Sequence, residues 1–305
     1  MGASSSARAP VYPVNHRERR ASDEWAAMCG PGSQMVRQAG HAAARHDGGM
    51  WTDRVWVLDD VTPADWLAER MAGRRGTVTQ TVPSGFAAYA RILHPAGGPD
   101  NEPVTWAQVA ETTGRQVHPT VQWHALVGAA DVWDNVGGLW PHARPQWGNL
   151  AIPQLAALCE VLAVNTTTPD GCFFGLWEGW AQLHGSPAVA HLGSDEPVPS
   201  ALTDTEHASP RLRLPGRDYF VMHGPISATL DFARYDGVDA WWSQSPNLFW
   251  PQDRAWCVAT EIDFDCTLVG GSAAAIAGVL EAPELEAWPV RPTDSLAADA
   301  DRVNG

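Results

Sequence analysis

The chain contains no lysine: all 20 basic residues among its 305 are arginine. That absence excludes Schiff-base chemistry on a lysine and the phosphate-binding lysine of a P-loop. Cysteine is scarce, and Cys29, Cys159, Cys172, Cys257 and Cys266 form no CxxC pair and no disulfide framework. No run approaches the roughly 20 apolar residues that span a bilayer. No apolar run near the start marks a secretory signal, and Arg19-Arg20 is followed by Ala-Ser-Asp-Glu rather than an apolar segment. Together these point to a reduced, soluble, cytoplasmic protein with no membrane partner.

Charge is short overall and lopsided. Charged residues make up 18% of the chain, with 35 acids against 20 arginines and a net charge of -15. Residues 1–50 hold six Arg and four acids, so the remainder holds 14 Arg and 31 acids. Nucleic-acid affinity rests on cations that meet phosphates, so a body this acidic disfavours DNA or RNA. The partner expected is a small molecule or a protein.

Apolar residues reach 45%, enough for a large core, and 24 Pro with 28 Gly imply many loops. Residues 1–50, rich in Ala, Arg, Ser and Gly, read as a disordered tail, and Met50 is a plausible alternative start. Residues 51–305 read as a single domain, with the Pro-rich stretch 185–216 as a long loop or a linker between two subdomains.

Local signals place several elements. Thr62-Pro63-Ala64-Asp65 reads as a helix start with Thr62 as N-cap, ending at Gly73. Residues 84–94 read as a strand. Thr105 to Gln108 outlines a capping box, with Gly114 as the stop. Ile152, Leu155, Leu158, Cys159 and Leu162 fall at helical spacing over 151–165. Cys172 to Trp180 and Arg217 to His223 read as strands, and 226–235 as a helix. Residues 255–265 read as a strand, Ser272 as the N-cap of a helix through Leu280, Glu286 to Val290 as a strand, and Asp294 as the cap of a final helix. The alternation lacks regular βαβ spacing. The expected fold is therefore α+β, a mixed and mainly antiparallel sheet with helices packed on it.

On a strand over 255–265, Glu261, Asp263 and Asp265 share one face, with neighbours roughly 6.5–7 Å apart. Such a row suits a hard cation or the acid and base of glycoside hydrolysis. It is also what a solvated strand face looks like. Sixteen Trp is a high count, and several stand beside acids, Pro or Arg: Trp177-Glu178, Trp180, Trp241-Trp242, Trp250-Pro251 and Trp256. Indoles beside acids stack on sugars or cations, though a Trp more often fills core volume. Asp253-Arg254 is a local ion pair or a ligand clamp.

Other motifs reduce to structure. Gly270-Gly271-Ser272 lies between a strand and a helix, but the last histidine is His223, so the order Ser, acid, His cannot be completed. Cys172 and Cys257 sit in apolar strands, and no His spacing marks a metal site. No metal or cofactor is expected.

The segments Thr166 to Trp180, Ser245 to Asp263 and Leu268 to Ser272 resemble a family of uncharacterised actinobacterial proteins, over about residues 62–304. The resemblance implies a cytoplasmic actinobacterial protein and no mechanism. Cys266 stands where relatives are expected to carry Ser, which argues against a catalytic role for that thiol. The residues single out a non-enzymatic binding or regulatory protein, with an acidic, Trp-lined surface built from Trp250, Asp253, Arg254, Glu261, Asp263, Asp265, Trp177 and Glu178. The alternative is a hydrolase, on carbohydrate for example, using two of the carboxylates Glu261, Asp263 and Asp265.

Overall fold

The structure, a computed structural model, describes residues 54–71, 76–130, 132, 138–185, 200–232 and 244–305. The N-terminal tail with Met50 and Cys29, the helix stop at Gly73, residues 186–199 of the Pro-rich stretch and Trp241-Trp242 lie outside them.

The described chain is an α+β fold built on a large antiparallel sheet. Its strands are β1 (Trp56–Val57), β2 (Ala88–Leu93), β3 (Ala96–Gly97), β4 (Pro103–Val104), β5 (Cys172–Trp177), β6 (Leu212–Leu214), β7 (Arg217–Gly224), β8 (Leu248–Pro251), β9 (Trp256–Ala259), β10 (Cys266–Gly271) and β11 (Ala287–Val290). The nine-stranded sheet runs β1-β7-β5-β8-β9-β10-β2-β11, with β6 also paired to β7, and β3–β4 form a separate ribbon. All these pairings are antiparallel. The helices are α1 (Asp65–Arg70), α2 (Val78–Thr81), α3 (Trp106–Thr113), α4 (Trp123–Val127), α5 (Ile152–Ala163), α6 (Ala181–His184), α7 (Asp204–His207), α8 (Thr229–Phe232) and α9 (Ala273–Glu281).

Both faces of the sheet are covered, which is why its central strands are apolar almost throughout. Side chains alternate between the faces. Cys172, Phe174 and Leu176 of β5, Phe220 and Met222 of β7, and Trp256 and Val258 of β9 enter the core beneath α5, α8 and α9. Gly278 lets α9 approach α5 closely, since a Cβ there would lie 2.9 Å from Val161 Cγ1. The opposite set, Phe173, Tyr219, Val221, Trp250, Cys257 and Leu268, forms a second core with Trp66 and Leu67 of α1 and Val78 of α2. A third cluster joins Leu93 and Cys266 to α3 and α4 through Trp106, Trp123 and Leu126.

The local signals mostly hold. Thr105 and Gln108 close the capping box of α3, which ends at left-handed Gly114. Ser272 caps α9 by accepting from the Ala275 amide at 3.1 Å. α5 spans Ile152–Ala163.

Four readings are corrected. Thr62 does not cap a helix: Thr62–Ala64 is a 3-10 turn that the Asp60 carboxylate holds through the Thr62 amide and hydroxyl, and α1 starts at Asp65. The strand expected over 84–94 is shorter, because Pro83-Ser84-Gly85 closes a loop onto the Tyr89 hydroxyl first. Asp294 caps no helix; it accepts from the Arg291 amide, and Ser295 bridges to Thr77. The fourth decides the site. Residues 255–265 are not one strand: β9 stops at Ala259, β10 starts at Cys266, and the two pair as a hairpin with Leu268 opposite Ala259. Aspartate favours turns over strands, and residues 260–265 close on a bond from the Phe264 amide to the Glu261 carbonyl.

Candidate functional site

The hairpin breaks up the carboxylate row. Glu261 and Asp263 remain together, but on Arg217, the first residue of β7. Glu261 Oε1 accepts from Arg217 Nε at 3.2 Å and Nη2 at 2.9 Å, and Asp263 Oδ2 accepts from the same Nη2 at 2.7 Å. The guanidinium lies 5.6 Å from the centre of the Trp177 ring, whose neighbour is Trp180 at 5.5 Å. Burial lifts the Glu261 carboxyl above its usual range against the pull of Arg217. Asp265 sits elsewhere, 3.7 Å from buried Arg91, and burial raises its pKa too. Glu178 follows Trp177 but pairs with Arg211 at 3.3 Å. Each of these four acids thus faces an arginine. Among the described residues no three His, Cys, Asp or Glu side chains converge as a metal site.

Trp250, Asp253 and Arg254 belong to another part of the same sheet face. Asp253 fixes a turn: its carboxylate accepts from both the amide and the hydroxyl of Thr167 at 2.7 Å, from the Thr166 hydroxyl at 2.8 Å and from the Ala255 amide at 3.1 Å. These bonds hold its carboxyl below the usual range although its partial burial acts the other way. The turn places Arg254 in the left-handed region at φ 56°. From there its guanidinium reaches 5.4 Å from the Trp66 ring centre, and that of Arg70 reaches 5.5 Å from the same ring. Among the described residues neither arginine has a carboxylate partner.

Beneath those cations the rings form a continuous row. Trp66 meets Trp250 edge-on at 6.3 Å, Trp250 stacks on Phe173 at 5.6 Å, and Phe173 meets His223 at 4.9 Å. Exposed Trp56 closes the far end, 4.7 Å from His223. Trp250 is 0% exposed and Trp66 3%. Trp66 Nε1, Trp250 Nε1 and His223 Nδ1 are buried without a hydrogen-bond partner. Other buried indoles are satisfied: Trp106 donates to the His94 carbonyl, Trp140 to the Gly97 carbonyl and Trp256 to the Leu162 carbonyl. The remaining buried atoms without hydrogen-bond partners, Arg91 Nε, Arg211 Nε and Gln154 Oε1, lie outside the row; Arg211 Nε is the atom that pairs with Glu178, and both arginines hydrogen-bond through other nitrogens.

The eight candidate residues therefore divide. Trp177, Glu261 and Asp263 gather on Arg217; Trp250 and Arg254 gather on Trp66, with Asp253 positioning Arg254; Glu178 and Asp265 join neither. Sequence reasoning missed Arg217, Trp66, Arg70, Phe173 and His223 as members of either group. Trp66 is legible as the apolar side of α1, but its unpaired N–H depends on β8, far along the chain. The described cysteines Cys159, Cys172, Cys257 and Cys266 are buried, and burial raises the thiol pKa of Cys172, Cys257 and Cys266.

No protein-family model, curated protein or solved structure matches the chain. Among the described residues no helix is long and apolar enough to cross a membrane.

Proposed function

We propose that this chain is a cytoplasmic binding protein, of the actinobacterial group its motifs resemble, that performs no chemical step and takes a small molecule on the Trp-lined face around Trp66 and Trp250. One observation carries the reading: two indole N–H groups, buried and without acceptors, belong to rings in edge-to-face contact, and two arginines that lack carboxylate partners lie over one of those rings, Trp66. Leaving a buried donor unpaired costs about 1–3 kcal/mol, and a bound molecule with acceptor atoms recovers that cost. Native mass spectrometry of the full chain, purified without denaturation, tests it. A non-covalent mass increment that is lost on denaturation, and reduced in Trp66→Phe, supports the reading. An unliganded mass, together with ordered waters on both indoles in a crystal structure, contradicts it.

The hydrolase reading keeps one supporting observation. Glu261 and Asp263 touch the same Arg217 nitrogen, so their nearest oxygens are within about 6 Å, near the carboxylate spacing of retaining glycosidases. The same contact argues against it, because the guanidinium fills the space a glycosidic oxygen needs. Hydrolysis of aryl glycosides that disappears in both Glu261→Gln and Asp263→Asn would favour the enzyme.

A further inference from the structure

The chemistry of the unpaired groups narrows the ligand. An indole N–H only donates, so the ligand must bring acceptors. Arg70 and Arg254 approach one ring in a protein of net charge -15, where most other described arginines have found a carboxylate. A negative ligand supplies the missing partner. The surrounding side chains are buried and aromatic, with Trp250 stacked on Phe173 and edge-on to Trp66, which favours a flat apolar body. Desolvating a dianion against such rings is far costlier than desolvating a monoanion, and this favours a carboxylate over a phosphate. Both arginines are exposed, so their side chains can move off Trp66 to admit a ligand and then close on it.

We propose that the Trp66–Trp250 site binds a small aromatic carboxylate, whose oxygens accept from the two indole N–H groups and pair with Arg70 and Arg254 while its ring packs in the row that leads to Phe173. This assignment rests on the binding reading above. Asp253 acts as a positioning residue, since its turn sets the direction of Arg254.

The test is a titration of the ¹⁵N-labelled full chain, read at the indole N–H signals of Trp66 and Trp250, which Trp66→Phe and Trp250→Phe assign. The probes are benzoate, neutral benzamide and inorganic phosphate. Benzoate is expected to move both signals saturably, with affinity at least about tenfold weaker for benzamide and in Arg70→Gln or Arg254→Gln, the loss of one charged hydrogen-bonded contact. Should Trp250→Phe fail to fold, Trp66→Phe and the two surface arginine variants still report. Phosphate or benzamide moving the signals better than benzoate would overturn the carboxylate assignment and leave the binding reading standing. No movement with any probe overturns the assignment, and bound water detected at both N–H groups would remove the binding reading with it.

Discussion

His94 and His223 show how differently two parts of this sheet treat buried polar groups. His94 is buried with both ring nitrogens engaged, Nδ1 with the Gln146 carbonyl at 2.8 Å and Nε2 with the Thr267 hydroxyl at 2.9 Å. Thr267 in turn meets the Thr260 hydroxyl at 2.8 Å, so the chain of partners is complete. His223 lies between Trp56 and Phe173 with Nδ1 unpartnered. Burial lowers the pKa of both, to about 4 for His94. The Arg217 clamp resembles the first region and the Trp66–Trp250 row the second. Satisfied networks specify the fold, whereas the unsatisfied donors of the Trp66–Trp250 row are the feature on which the proposed binding reading rests.

The histidines give the largest expected contrast. His94→Leu removes the partner of the Gln146 carbonyl and leaves the Thr267 hydroxyl only its bond to Thr260, and should lower unfolding free energy by about 2–4 kcal/mol. His223→Leu should change it by less than about 1 kcal/mol, both measured by denaturant unfolding. Their acid sensitivity follows. A buried neutral His94 adds stability that is complete above its unfolded value of 6.5 and is lost as the pH falls toward about 4. Its full size is on the order of 3 kcal/mol, and His94→Leu should flatten the stability profile over that window.

The arginines come next. Arg217→Met leaves Glu261 and Asp263 side by side and should cost about 1–2 kcal/mol at neutral pH, whereas Arg254→Met, exposed and without a carboxylate, should stay within about 0.5 kcal/mol. Equal losses would erase the distinction between clamp and row.

Glu261 gives the smallest effect and the opposite pH sign. Its folded pKa is raised above 4.5, so the folded state holds the proton longer than the unfolded chain. Stability is therefore favoured below 4.5 and falls as the pH rises through the raised value. Glu261→Gln should remove that fall, seen as a flatter thermal-melt profile from pH 4.5 upward.

Much of the fold was legible because its signals are local. The Thr105–Gln108 box, the Ser272 cap, the helical spacing from Ile152 to Leu162 and the aromatic run of β5 each contain their own cause within a few residues. The break after Ala259 was not legible, because apolar and acidic residues go on alternating through the turn as they would along a strand. The Trp66 row is harder still. Trp66, Phe173, His223 and Trp250 meet only when α1, β5, β7 and β8 are assembled, and whether an indole finds an acceptor is decided by that assembly. Arg254 was legible as a possible clamp residue, but not the indole it covers.

Trp250 and Trp256 are both fully buried on neighbouring strands, one with an unpaired N–H and the other donating to the Leu162 carbonyl at 3.0 Å. Replacing each by Phe removes similar volume, so the difference between the two unfolding free energies reads the hydrogen bond alone. In ligand-free protein, Trp256→Phe should lose about 1–2 kcal/mol more than Trp250→Phe. Equal losses, or a larger loss at Trp250, would mean that its N–H is already satisfied and would contradict the account.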